Sequence, residues 1–205
     1  MLAAPAAAAV SALVPTPAQV TVAIQESEAE HLRQLEQTDP AAAERARSPF
    51  AAALVASIKA YTVKGCLPPS GGEIVCIVGV QAGRREGFRA LAFRDNPEPW
   101  VLARRETPAV NGPDAAQATA LMREFLRNEL KEGLSGEHAT ELTALSSSLV
   151  IKQLNDCEVS RGSGNLACDA VVSMGGEPDK RVTGFAFALE RSGWRFVPRT
   201  ADQSR

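Results

Sequence analysis

The chain of 205 residues has two histidines, one tyrosine and two tryptophans, and only 5% of its residues are aromatic. With His31 and His138 far apart and neither beside a second His or Cys at ligand spacing, a paired-histidine metal site within one chain is excluded. Basic excess is also missing. Lysine and arginine together number 22 against 24 aspartates and glutamates, a formal charge of −2, which argues against a dedicated nucleic-acid binder. No uninterrupted apolar run reaches the ~20 residues that a membrane-spanning helix needs. No Gly-x-Ser-x-Gly elbow occurs. Arg161–Asn165 carries part of that pattern, but in a predicted hairpin loop rather than between a strand and a helix. The glycine pairs Gly83/Gly87 and Gly175/Gly176 form no phosphate-binding pattern and open no helix. His31 and His138 read as surface residues. These absences assign no catalytic residue, metal or cofactor.

What is present is ordinary globular composition, 45% hydrophobic and 22% charged. Residues 1–19 contain no charged side chain, and Leu2 to Val14 has the length of a signal-peptide apolar core, with Ala12 and Ala18 as candidate cleavage positions. A basic stretch ahead of it is missing. The segment is therefore either a signal peptide or a disordered leader.

The four cysteines fall in two close pairs, Cys66 with Cys76 and Cys157 with Cys168. Each pair brackets turn-rich residues, 67–72 and 160–165. Three pairings are open in principle. The hairpin reading favours 66–76 and 157–168, as disulfides of an exported protein. Zinc ligation is disfavoured, because paired zinc ligands normally lie two to four residues apart. Four reduced thiols are the third alternative.

The anchors of the first half recur in the second. Cys66, Cys76 and Trp100 are followed by Cys157, Cys168 and Trp194 at offsets of 91, 92 and 94 residues. Glu30–Arg33 aligns with Glu124–Arg127, and Ala90–Phe93 with Ala186–Leu189. The chain therefore reads as a leader (1–19), two repeats (20–108 and 109–200) and a short tail (201–205).

Each repeat is expected to begin with a helix. In the second, Asp114 caps a stripe of Ala118, Leu121, Met122, Phe125, Leu126 and Leu130, with Gln117 at the capping-box position. In the first, a weaker helix near 22–37 uses Ile24, Leu32 and Leu35. Shorter helical stretches follow at 40–57, interrupted by Pro49, and at about 137–147. Strands are expected at 58–65, 73–80, 88–94 and 100–104, and again at 149–157, 166–174, 182–191 and 194–197. In the third strand of each repeat one face holds large residues (Leu91, Phe93; Phe185, Phe187, Leu189). The other holds small ones (Ala90, Ala92; Gly184, Ala186, Ala188), which permits close approach of a helix or second sheet.

The fold class is thus α+β, with two tandem repeats of a helix packed on a three- or four-stranded antiparallel meander. This order of elements resembles the cystatin-like or NTF2-like roll. NTF2-like enzymes often use an Asp or a Tyr–Asp pair inside the roll, so the resemblance points to Tyr61 and Asp169 as pocket residues. Alternation along the strand instead turns Asp169 to solvent, opposite Cys168 and Ala170.

Charge is uneven. Residues 51–105 carry eight basic and four acidic side chains, and residues 106–142 carry three basic and seven acidic. Arg84, Arg85, Arg89, Arg94, Arg104 and Arg105 form the basic group. It reads either as a solvated surface or as a face that meets the acidic helix of the second repeat or an acidic partner. The resulting expectation is a periplasmic or secreted, non-enzymatic module that binds another protein, as an inhibitor, immunity or envelope-assembly factor. A ligand-binding or catalytic roll, with an enclosed pocket lined by Phe and Leu, is the alternative.

Overall fold

A computed structural model describes residues 14–96, 99–131 and 137–198. The leader expectation for residues 1–13 lies outside the described residues, as does the tail at 201–205. Three helices come first: α1 (Pro17–Thr38), α2 (Pro40–Ala46) and α3 (Pro49–Ala56). Each starts the same way, with a capping side chain followed by proline at the first helical position. Thr16 and Gln19 form a reciprocal box, in which the Gln19 N–H donates to Thr16 Oγ1 at 3.3 Å and the Thr16 N–H donates to Gln19 Oε1 at 2.8 Å. Helix α1 therefore begins at Pro17, inside the segment assigned to the leader. Its buried residues, Val20, Ala23 and Ile24, come from its first two turns, whereas Leu32 and Leu35 are only half-buried. The stretch 40–57 is two helices, separated where Ser48 caps Pro49.

Strands β1 (Lys59–Cys66), β2 (Glu73–Ala82) and β3 (Arg85–Arg94) form one antiparallel sheet in the order β1-β2-β3. After α4 (Ala115–Lys131) and α5 (Glu137–Ser148), strands β4 (Leu149–Val159), β5 (Leu166–Met174), β6 (Lys180–Glu190) and β7 (Gly193–Val197) form a second, in sequence order. The fold is mixed α+β with two antiparallel sheets. The fourth strand expected at 100–104 is absent from the first sheet. Only Leu102 bridges Phe93, flanked by the bonds Arg94 N–H to Val101 O and Ala103 N–H to Ala92 O, both 2.9 Å. Beyond them Arg104 and Arg105 turn to the carboxylates of Glu73 and Glu28 instead of continuing the ladder.

Alternation along the strands gives the first sheet two working faces. Ile74, Cys76 and Val78 of β2, with Leu91 and Phe93 of β3, pack under α1 and against Trp100. On the opposite face, Val75 and Ala90 join the core of the second half, with Leu166, Cys168, Phe187 and Phe196. The small-residue face thus receives a second sheet. Gly65 lies so close to β6 that a Cβ there would stand 2.9 Å from Leu189 Cγ and 3.1 Å from the Leu189 carbonyl. Helix α4 covers the second sheet. The Gln117 N–H donates to Asp114 Oδ1 at 2.7 Å, and buried Thr119 ties helix to strand by accepting from the Ile151 N–H at 2.9 Å.

Cys66 is bonded to Cys76 and Cys157 to Cys168. Cys66 and Cys76 are direct register partners across β1 and β2. The two disulfides fit an oxidising compartment of the kind reached by export. Among the described residues no helix is long and apolar enough to cross a membrane.

Candidate protein-binding surface

The residues of the pocket alternative are not brought together. Tyr61 is on β1, 43% exposed, with its ring over Gly79 and edge-on to Phe88 at 5.8 Å between centroids. Asp169 is on β5 of the other sheet, where its Oδ2 accepts from Arg181 Nη2 at 2.7 Å. That hydrogen bond, and then the charge of Asp169, raise the Arg181 pKa. Asp169 therefore serves as the surface partner of an exposed arginine. His31 lies on α1 beside a cleft described below, and the His138 side chain lies outside the described residues. Among the described residues no group of three His, Cys, Asp or Glu is arranged to hold a metal ion.

The six arginines of the basic group separate into two places. Arg94, Arg104 and Arg105 line a cleft along α1 with Glu26, Glu30 and His31. Here two of the three charges are used internally, while Arg94 has no carboxylate partner among the described residues. Arg104 reaches Glu73 at 2.7 Å, and Arg105 donates to both Glu28 oxygens at 2.8 Å. Glu30 receives Arg33 and Gln34, and these hydrogen bonds hold its carboxyl below the ordinary value.

Arg85 and Arg89 lie elsewhere. Both are on β3, an edge strand of the first sheet, four residues apart and so on the same face. They line a cleft of about 830 Å³ whose other wall is Cys157–Val159 of β4, the edge strand of the second sheet, together with Arg161. Thr107–Val110 close one side of it. Arg84 stands at the adjoining β2–β3 turn. None of Arg84, Arg85, Arg89 and Arg161 has a carboxylate partner among the described residues. Glu86 and Glu158 also line the cleft, so three arginines border it beside two glutamates.

The cleft is held in shape where the halves meet. The Phe88 N–H donates to the Arg161 carbonyl at 2.8 Å, which fixes β3 to the loop after β4. Lys64 on β1 extends over the Phe88 ring, with its Nζ 4.9 Å from the centroid and 3.5 Å from Asn165 Oδ1. Burial, and then the charge of Arg195, lower the Lys64 pKa.

Every ion pair among the described residues stays within its own half of the chain. Among the described residues, the basic group of the first half makes no ion pair with the acidic stretch of the second. The sequence stretch that included Arg85 and Arg89 missed Arg161, which reaches the same cleft only through tertiary packing. Compared with family models, curated proteins and solved structures, the chain has no match.

Proposed function

We propose that this chain is an exported, non-enzymatic protein-binding module, periplasmic or secreted, acting as an inhibitor, immunity or envelope-assembly factor. Its binding face is the cleft between the β3 and β4 edges. Arg85, Arg89 and Arg161 there receive carboxylates of a partner protein. In this reading the chain is a duplicated cystatin-like or NTF2-like roll, and the cleft is a composite surface that neither repeat supplies alone. The observation that carries the proposal is that three arginines line one cleft and none has a carboxylate partner among the described residues. Arginine forks bind carboxylates in two-point geometry and are enriched at interfaces. The two disulfides support export, since such bonds persist in oxidising compartments.

The test is retention of envelope and secreted proteins on the immobilised chain, run beside its Arg85→Glu/Arg89→Glu variant. The expected result is a specific protein retained by the wild type, released by raised salt, and reduced about tenfold or more on the variant. Equal retention by both chains overturns the proposed face. No retained protein from either fraction overturns the protein-binding reading.

A further inference from the structure

Helix α3 departs from how soluble helices are built. Its sequence, Pro-Phe-Ala-Ala-Ala-Leu-Val-Ala, has no polar side chain, and none of its residues is buried. A helix apolar on all sides normally lies in a protein core or in lipid. Here Phe50 is 80% and Leu54 44% exposed, and these two residues, one turn apart, share a side.

The helix ends are closed by local groups. Pro49 has no N–H to satisfy. The Ala51 N–H donates to Ser48 Oγ at 3.3 Å, and the Ala52 N–H to the Ser48 carbonyl at 3.0 Å. At the other end the Ser57 N–H reaches the Ala53 carbonyl, Ser57 Oγ donates to the Leu54 carbonyl at 2.7 Å, and the Ile58 N–H takes the Val55 carbonyl. Water would satisfy such groups at no expense, whereas in an apolar medium each open one is costly.

The surroundings are basic. No charged residue occurs from Ser48 to Ile58, and the first on either side are Arg47 and Lys59. Ser57 Oγ also accepts from the Gly83 N–H at 2.9 Å, which places the tip carrying Arg84 beside the end of α3. Arg45, Lys59 and Arg84 have no carboxylate partner among the described residues, whereas Arg47 pairs with Glu36. Glu44 is the one acid on the adjoining turn.

We infer that α3 is a contact for the surface of an anionic bilayer, with Phe50 and Leu54 entering the boundary between headgroups and acyl chains. Size decides between occupants. Eight residues make a helix of about 12 Å. That is far below the ~30 Å of a hydrocarbon core. It is also too small for the roughly 800 Å² per partner that a stable protein pair buries. Shallow insertion of two side chains, assisted by Lys59, Arg84 and Arg45 at phosphate groups, needs no matching surface. The Arg85–Arg89–Arg161 cleft plays no part in it.

The test is co-sedimentation of the full chain with phosphatidylcholine vesicles, with and without phosphatidylglycerol. The wild type is expected to pellet with the anionic vesicles and much less with the neutral ones. Phe50→Ser/Leu54→Ser should lower the partition coefficient about tenfold or more. Arg84→Glu should reduce only the part that depends on phosphatidylglycerol. Both apolar side chains are exposed, so the double variant should keep the wild-type melting temperature. Failure of the wild type to pellet with anionic vesicles overturns the inference, as does equal pelleting of the double variant. A wild-type dimer in sedimentation velocity that the double variant loses would assign α3 to a second copy, and would also overturn it.

Discussion

The ring of Phe88 occupies the place where Gly164 would carry a side chain. Gly164 has φ +68°, and a Cβ there would stand 2.5 Å from Phe88 Cδ1. The contact joins β3 to the β4–β5 loop beside the Phe88–Arg161 hydrogen bond. Gly164→Ala should destabilise the protein by about 1–3 kcal/mol, because it combines left-handed backbone with an aromatic clash. Gly162→Ala, two residues away with nothing within 4 Å of its Cβ, should stay within about 0.5 kcal/mol of wild type. Denaturant unfolding of the pair checks this. Equal effects would show that the Phe88 contact does not hold the halves together.

Lys64 gives the same junction a dependence on pH. Its pKa in the folded chain is lowered from 10.5 by burial first and by Arg195 second, with Glu190 opposing. The unfolded chain therefore binds this proton more tightly. Between the lowered folded value and 10.5 the unfolded state carries more protons, so stability rises with pH across that window. Below it, the charged side chain is a constant penalty. Thermal melts of the wild type should show this rise relative to Lys64→Met. Parallel curves would remove the assignment.

Each disulfide closes a short loop, with sequence separations of 10 and 11. Cys66→Ser/Cys76→Ser and Cys157→Ser/Cys168→Ser should each lower stability by about 3 kcal/mol, measured by urea unfolding. A loss below about 1 kcal/mol for either pair would mean that its two strands are held in register by their packing alone.

Asp169→Asn separates the pocket alternative from the surface reading. The Arg181 partner is 63% exposed on its side chain, so loss of the pair should change stability by roughly 0–1 kcal/mol. Retention of a partner on the Arg85–Arg89–Arg161 cleft should be unaffected. A loss well above that range would place Asp169 in a more demanding environment.

Thr16→Ala should cost about 1 kcal/mol in thermal or denaturant unfolding, since it removes the cap of α1. No change would imply that Pro17 and the packing of Val20 fix the start of the helix without it.

Local signals decided most of the fold. Asp114 and Pro40 marked helix starts, Pro49 marked a break that is the start of α3, and alternation around Leu91, Phe93, Phe185 and Phe187 marked strands and their two faces. The Thr16–Gln19 box was equally local, but it lay in a segment whose uncharged composition suggested a leader. Residues 100–104 carried a strand-like pattern, of which only the bridge between Leu102 and Phe93 forms; beyond it Arg104 pairs with Glu73. The cleft was only half legible. Arg85 and Arg89 stood out as charges on a strand, but Arg161 joins them across the packing of two sheets, which no spacing encodes. Helix α3 was legible as part of the helical stretch 40–57, but its exposure is set by tertiary packing, which its apolar composition does not encode.

The disulfide connectivity also bears on biosynthesis. The first cysteine is bonded to the second and the third to the fourth. A chain oxidised in the order of its emergence from a translocation channel meets the correct partner first, both times. In a chain exported and oxidised in that order, Cys66 and Cys76 would pair before Cys157 emerges. Native pairing would then need only oxidation and no reshuffling catalyst.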